Sequence, residues 1–142
     1  MRVIDGDTLR VRLSSGQQVT VRLIGIDTPE TKRPGVAVEC GGKAASAFMH
    51  RIAFRRGRGR QVTLVDDRGQ DPTDRYGRTL AYVDAGAKGD LGRLMLRAGW
   101  ASVYVFRTPF GRLTRYRSAA GQAAARHLGA WDRCDGDFHR PA

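Results

Sequence analysis

The first 23 residues restrict the fold more than any other stretch of this chain. Thr8-Leu9-Arg10-Val11-Arg12-Leu13 alternates, with Leu9, Val11 and Leu13 on one face, and the alternation resumes at Val19, Val21 and Leu23 after a Ser14-Ser15-Gly16 turn. Asp5-Gly6 is itself a turn dipeptide, so Met1 to Leu23 reads as three consecutive antiparallel strands. A meander with one apolar face has to be covered, and the remaining residues must supply that cover.

They do so with a helical period. Ala44, Ala45, Phe48, Met49 and Ile52 recur at helix spacing up to Arg55-Arg56-Gly57, after a polar loop that holds Pro34 and Gly35. Gln61–Val65 and Thr79–Val83 read as strands, separated by an Asp-, Gly- and Pro-rich loop from Asp66 to Asp74. Asp90 is a candidate N-cap for a second helix of about nine residues with Leu91, Leu94, Met95 and Ala98 as its stripe and Gly99 as its stop. Ala101 to Phe106 reads as a short extended piece. A third helix runs from about Leu113 to Leu128, with Tyr116, Ala120, Ala123 and Ala124 inward and Gly129 ending it. Five strands and three helices predict an α+β chain, mainly β, in which a small barrel carries helices against it. At 142 residues, one domain is expected over 1–142, with 134–142 as a C-terminal tail.

Charge then narrows the function. The net charge is +11, and of the 25 basic residues all but Lys32, Lys43 and Lys88 are arginine. Such a balance points to a polyanionic partner, with nucleic acid first, although a high arginine content that merely keeps a surface soluble gives the same count. No stretch approaches the ~18 apolar residues of a membrane span, so no membrane partner is expected. The N-terminus has no apolar leader; Met1-Arg2-Val3-Ile4 reads instead as the tail of a strand, with an upstream piece missing. Cys40 and Cys134 have no CxxC spacing, which leaves a disulfide or two buried thiols. The even count and a Gly/Asp-rich tail in need of an anchor favour the disulfide.

Against this basic background stand two acidic segments, Ile4-Asp5-Gly6-Asp7-Thr8 and Ile26-Asp27-Thr28-Pro29-Glu30. Asp7 lies at the start of one strand and Asp27 just past the end of another, so a tight meander can bring both carboxylates to one hard divalent cation. A site with few carboxylates completes its shell with backbone carbonyls and water, and Thr28, before the rigid Pro29, is placed to give a carbonyl. Glu30, three residues beyond Asp27, has the position of a general base. Arg22, on the strand leading into this loop, and Arg78, in Asp74-Arg75-Tyr76-Gly77-Arg78, can meet phosphate oxygens bidentately and neutralise charge at a pentacoordinate phosphorus. Singly, each acidic segment is better explained by a turn or a strand end; the combination with Arg22 is what signals chemistry.

IDGDT (Ile4 to Thr8), VRLIGIDTPE (Val21 to Glu30), the segment from Glu39 to Phe48 and DRYGRTLAY (Asp74 to Tyr82) together resemble the staphylococcal nuclease, or thermonuclease, family, from residue 1 to about Trp131. The resemblance implies a five-stranded OB-fold barrel with three helices. It also implies a calcium-dependent endonuclease that cleaves DNA and RNA with little sugar specificity and leaves 3′-phosphate ends. By position, Asp7, Asp27 and Thr28 match the calcium site, Glu30 the proposed base, and Arg22 and Arg78 the phosphate arginines, with Arg78 toward the leaving group. Tyr76 and Tyr104 match tyrosines that line the nucleotide pocket, where a ring can stack on a base. Phe106 stands where a second pocket tyrosine is common. Cys40 and Cys134 resemble a bridged pair in secreted relatives, which implies an oxidising compartment and export. His50, His127 and His139 match no functional position and are given no role. A monomer is the expected state. The alternative is an OB-fold module that binds nucleic acid without catalysis, but such modules lose the acidic and arginine residues that this chain keeps.

Overall fold

A computed structural model describes residues 1–31, 35 and 37–142; Pro34, assigned to the polar loop, lies outside them. The predicted meander is present as β1 (Arg2–Asp5), β2 (Thr8–Arg12) and β3 (Gln18–Leu23), paired antiparallel in sequence order. Leu9, Val11, Val21 and Leu23 are buried, as the period of two requires, while Leu13 and Val19 pack partly exposed at the ends. After β3 the chain turns at Gly25 and enters β4 (Ile26–Asp27). Gly25 has φ +84°, and a Cβ there would lie 2.5 Å from Phe110 Cζ, so the bend that launches the acidic loop depends on the missing side chain.

Next come α1 (Gly42–Ala53), a small hairpin of β5 (Phe54–Arg55) and β6 (Arg58–Gly59), then β7 (Thr63–Val65) and β8 (Thr79–Asp84). The second half holds α2 (Leu91–Arg97), β9 (Ser102–Val103), α3 (Leu113–Ala125) and α4 (Ala130–Arg133). α2 is capped by Asp90, whose carboxylate accepts from the Gly92 and Arg93 amides, and Gly99 follows it at φ +81°, as the sequence predicts. It packs against α3 and β8, and α1 packs against β1 and α2. Ala45, Met49, Leu91, Met95 and Leu96 thereby meet Leu9, Val21, Ile26 and Val83 in one core.

Three expectations require correction. The sheet does not close into a barrel: its order is β1-β2-β3-β8-β7, with β4 and β9 forming a separate two-stranded ladder. The bend at Gly25 takes the chain out of β3 before it can continue along β8, and β7 has only three residues, because Gln61 and Val62 of the expected strand stay outside the ladder. There are four helices among the described residues rather than three, since the one-turn α4 is too short to show a period. α3 ends at Ala125, and its buried positions are Tyr116, Ala119 and Ala123, whereas Ala120 is partly buried and Ala124 is not fully covered. The pairing of β3 with β8 is parallel, which the sequence reading did not resolve; it sets Arg22 opposite Leu80 and places Arg78 one residue before this strand.

Candidate active site

The turn between β1 and β2 is the floor of the site. Asp5, buried, accepts hydrogen bonds through Oδ1 from Gly6 N (3.1 Å), Thr31 Oγ1 (2.9 Å) and Ser46 Oγ (3.3 Å), tying the turn to the acidic loop and to α1. Asp7 is also buried: Oδ1 accepts from Thr8 Oγ1 at 2.9 Å, and Oδ2 from the Thr28 amide at 3.2 Å. Its backbone carbonyl receives the Leu23 amide at 2.9 Å, so the turn is also locked to the end of β3.

Arg22 joins the two acidic segments. Nη1 donates to the carbonyls of Leu23 (2.8 Å) and Ile26 (2.7 Å), which fixes the plane of the guanidinium. Nη2 then faces both Asp7 Oδ2 at 3.4 Å and Asp27 Oδ1 at 3.6 Å. These contacts are ion pairs rather than short hydrogen bonds, leaving the carboxylates room to take another cation. Asp27 is held by the β4–β9 ladder, in register with Ser102. Beside it Thr28 Oγ1 is buried with no hydrogen-bond partner among the described residues, an unsatisfied oxygen of the kind that a cation or water takes up.

A hard divalent ion fits this donor set in kind: the converging side-chain donors are oxygens, and the two carboxylates share one point of approach at Arg22 Nη2. No group of three or more His, Cys, Asp or Glu side chains among the described residues is arranged to hold a metal ion, so carbonyls and water would have to supply the rest.

Glu30 is partly buried, and its backbone is clamped by one partner: its amide donates to Glu39 Oε1 at 2.7 Å and its carbonyl accepts from the Glu39 amide at 2.9 Å. Arg78 is held by Asp74 rather than by the Asp7–Asp27 pair. Asp74 Oδ2 accepts from Arg78 Nε at 2.6 Å, and Oδ1 from the Arg78 and Tyr76 amides, each at 2.9 Å. Burial opposes ionisation of Asp74, but these hydrogen bonds outweigh it and hold its pKa below the ordinary carboxylate value. Tyr76, 68% exposed, carries the Arg75 and Arg78 guanidiniums at 4.9 and 5.4 Å from its ring centre. Tyr104 lies two residues beyond the partner of Asp27, donates its amide to Gly25 O at 2.9 Å and stacks on Phe106 at 6.4 Å, both rings exposed. Exposed aromatics at a basic rim are available for stacking on bases.

The sequence reading missed His139 and Glu39. His139 Nε2 lies 2.7 Å from Asp27 Oδ2, and Nδ1 lies 3.0 Å from Glu39 Oε1. Burial works to lower the His139 pKa, yet the hydrogen bonds to Glu39 and Asp27 outweigh it and raise it above the ordinary 6.5. Cys40 and Cys134 form the favoured disulfide, which ties the tail to the loop before α1. The only sequence signal for this arrangement was that pair of cysteines, since a histidine 112 positions from Asp27 has no local pattern.

Comparison with known proteins agrees with the geometry. The family described as "Staphylococcal nuclease homologue" matches residues 20–133. A thermonuclease from Staphylococcus hyicus is 37% identical over 92% of this chain and 73% of its own length. A thermonuclease from Staphylococcus intermedius is 50% identical over 58% of this chain and 45% of its own, and the endonuclease YncB of Bacillus subtilis is 34% identical over 93% and 60%. The chain thus spans about half to three quarters of the length of these curated relatives. Coverage of this extent, at this identity, establishes that the chain belongs to the staphylococcal nuclease homologue family.

Proposed function

We propose that this chain is a calcium-dependent endonuclease that hydrolyses phosphodiester bonds of DNA and RNA with little sugar specificity and leaves 3′-phosphate ends. The observation that carries the reading is Arg22 Nη2 facing both Asp7 and Asp27 beside Thr28 on a chain of net charge +11. Two thermonucleases and an endonuclease among its relatives support it. Asp7, Asp27 and the Thr28 carbonyl would hold the calcium ion, which when bound supplies positive charge at a phosphoryl oxygen.

The chain's own residues do the rest. Glu30, fixed by its backbone to Glu39, removes the proton from the attacking water. Arg22, its plane set by two carbonyls, stabilises charge at phosphorus. Arg78, oriented by Asp74, does the same toward the departing 5′-oxygen. Tyr76 and Tyr104 hold bases at the rim. The long-range positive field draws the polyanion in at a rate that falls with salt. The disulfide suits an oxidising compartment and supports an extracellular site of action; among the described residues no helix is long and apolar enough to cross a membrane.

Incubation with plasmid DNA or with RNA, in calcium and then in chelator, tests the reading. The expected result is calcium-dependent fragmentation of both polymers, with fragments that become extendable by a polymerase only after phosphatase treatment. Digestion that persists in chelator would contradict the assigned cation site, and 5′-phosphate ends would contradict the direction of attack.

A further inference from the structure

The C-terminal segment is built into the acidic site. Phe138 is buried with Ala130 and Cys134 in a small core that Trp100 and Trp131 extend, and the disulfide closes the base of this strap. Its far end is stitched to the segment before α1, with Cys40 N donating to Arg140 O (2.6 Å), Ala142 N to Val38 O (3.1 Å), and Glu39 bridged to Pro141. Between these anchors His139 has one ring nitrogen on Asp27 and the other on Glu39. Glu39, 9% exposed, spends the same Oε1 on the Glu30 amide. A continuous chain of contacts therefore runs from Asp27 through His139 and Glu39 to the backbone of Glu30.

We propose that His139 is a positioning residue of this site: held by the disulfide-anchored strap, it fixes the Asp27 carboxylate and, through Glu39, the backbone that carries Glu30. The inference rests on the reading of Asp27 as a cation ligand and Glu30 as the base. Contact with Oδ2 leaves Oδ1 of Asp27 directed toward Arg22, so the histidine selects which oxygen faces the reacting region. Partners that orient a ligating carboxylate typically alter metal affinity by ~10–100-fold when removed. Without His139, the Glu39 carboxylate loses the ring nitrogen that it bonds alongside the Glu30 amide.

The test compares intact, disulfide-bonded wild type with His139→Ala and His139→Gln. Three quantities are read: calcium affinity by titration calorimetry, kcat and KM on DNA, and hydrogen exchange at the Glu30 amide. His139→Ala is expected to weaken calcium about 10–100-fold, to lower kcat with KM within about twofold, and to speed Glu30 exchange about tenfold, because the carboxylate that accepts from this amide loses its imidazole partner. His139→Gln, whose side-chain amide still donates to Asp27, should recover most of the calcium affinity, which mere loosening of the strap would not explain. Wild-type values of affinity and exchange in His139→Ala would overturn the proposal. The exchange readout needs no turnover, so it separates the two claims: a wild type that cleaves nothing while His139→Ala still frees the Glu30 amide sinks the nuclease reading and keeps the positioning role.

Discussion

Two clusters in this molecule each set one arginine between two aspartates, and they are built to opposite standards. Arg112 donates to Asp84 at 2.7 and 2.9 Å with both Nη atoms and to Asp90 at 2.9 Å, lies 4.2 Å from the Tyr82 ring centre, and shares Asp90 with the Tyr116 hydroxyl. Arg22 stands 3.4 and 3.6 Å from its aspartates and spends its short hydrogen bonds on backbone carbonyls. The first cluster is closed: its carboxylates face a bidentate fork and a phenol, and it joins α3 to β8 and to the cap of α2. The second leaves Asp27 Oδ1 in long contact with Arg22, at 3.6 Å, beside the orphan Thr28 hydroxyl. Satisfied polar clusters stabilise, whereas under-satisfied ones mark places where a ligand completes the set.

That contrast can be broken by experiment. The largest effect is expected at the loop of the open cluster, where Glu30→Gln should slow hydrolysis ~10²–10⁴-fold while nucleotide affinity stays near wild type. Unchanged single-turnover rates would remove Glu30 from the mechanism. Arg22→Lys should lower kcat ~10²–10³-fold, because a point charge cannot replace the planar fork at the transition state, and it should cost less stability than the same change at Arg112. Arg112→Lys should reverse the pattern, with a loss of about 1.5–3 kcal/mol in urea unfolding, the range for a charged hydrogen bond, and kcat within a few-fold. If Arg22→Lys proves the more destabilising and Arg112→Lys the more damaging to turnover, the division between the clusters is wrong.

The smallest effect concerns acid. Hydrogen bonds from Arg112, opposed by partial burial, hold the Asp84 pKa below its ordinary 3.8. A depressed folded-state value means a contribution fully present above the unfolded pKa near 3.8 and lost as pH falls through the folded one. Asp84→Asn should therefore flatten the acid limb of stability below about pH 4, where Asp titrates, with little change in slope near neutrality. An acid limb as steep as wild type would show that Asp84 adds nothing to it.

What was legible in the sequence follows the range of the forces involved. The meander, the Asp90 cap and the α2 stop are local matters of period and turn chemistry, and they lie where the sequence placed them. The gathering of Arg22 with Asp7 and Asp27 was also accessible, because a hairpin and one loop supply all three. Sheet closure was not: whether β7 reaches β1 depends on the length of one strand and the bend at Gly25, and alternation does not report either. His139 lay further out of sight, since its position is set by a covalent bridge and a small core of Phe138, Cys134 and Ala130 rather than by anything near it in the chain. The Arg112 cluster was missed for a different reason, as Asp84 and Arg112 resemble ordinary solvated charges, and Asp90 only a helix cap, until α3 packs against α2.

The parallel ladder between β3 and β8 has a consequence for biosynthesis. Arg22 gains its strand neighbour Leu80 only after that strand has been made, and Asp27 meets His139 across a separation of 112 residues. A nascent chain therefore carries its acidic loop out of the ribosome long before the partners that organise it exist, and a truncated product would emerge without them. On the proposed function, synthesis order itself delays the moment at which the polypeptide could act on the nucleic acid surrounding its own translation.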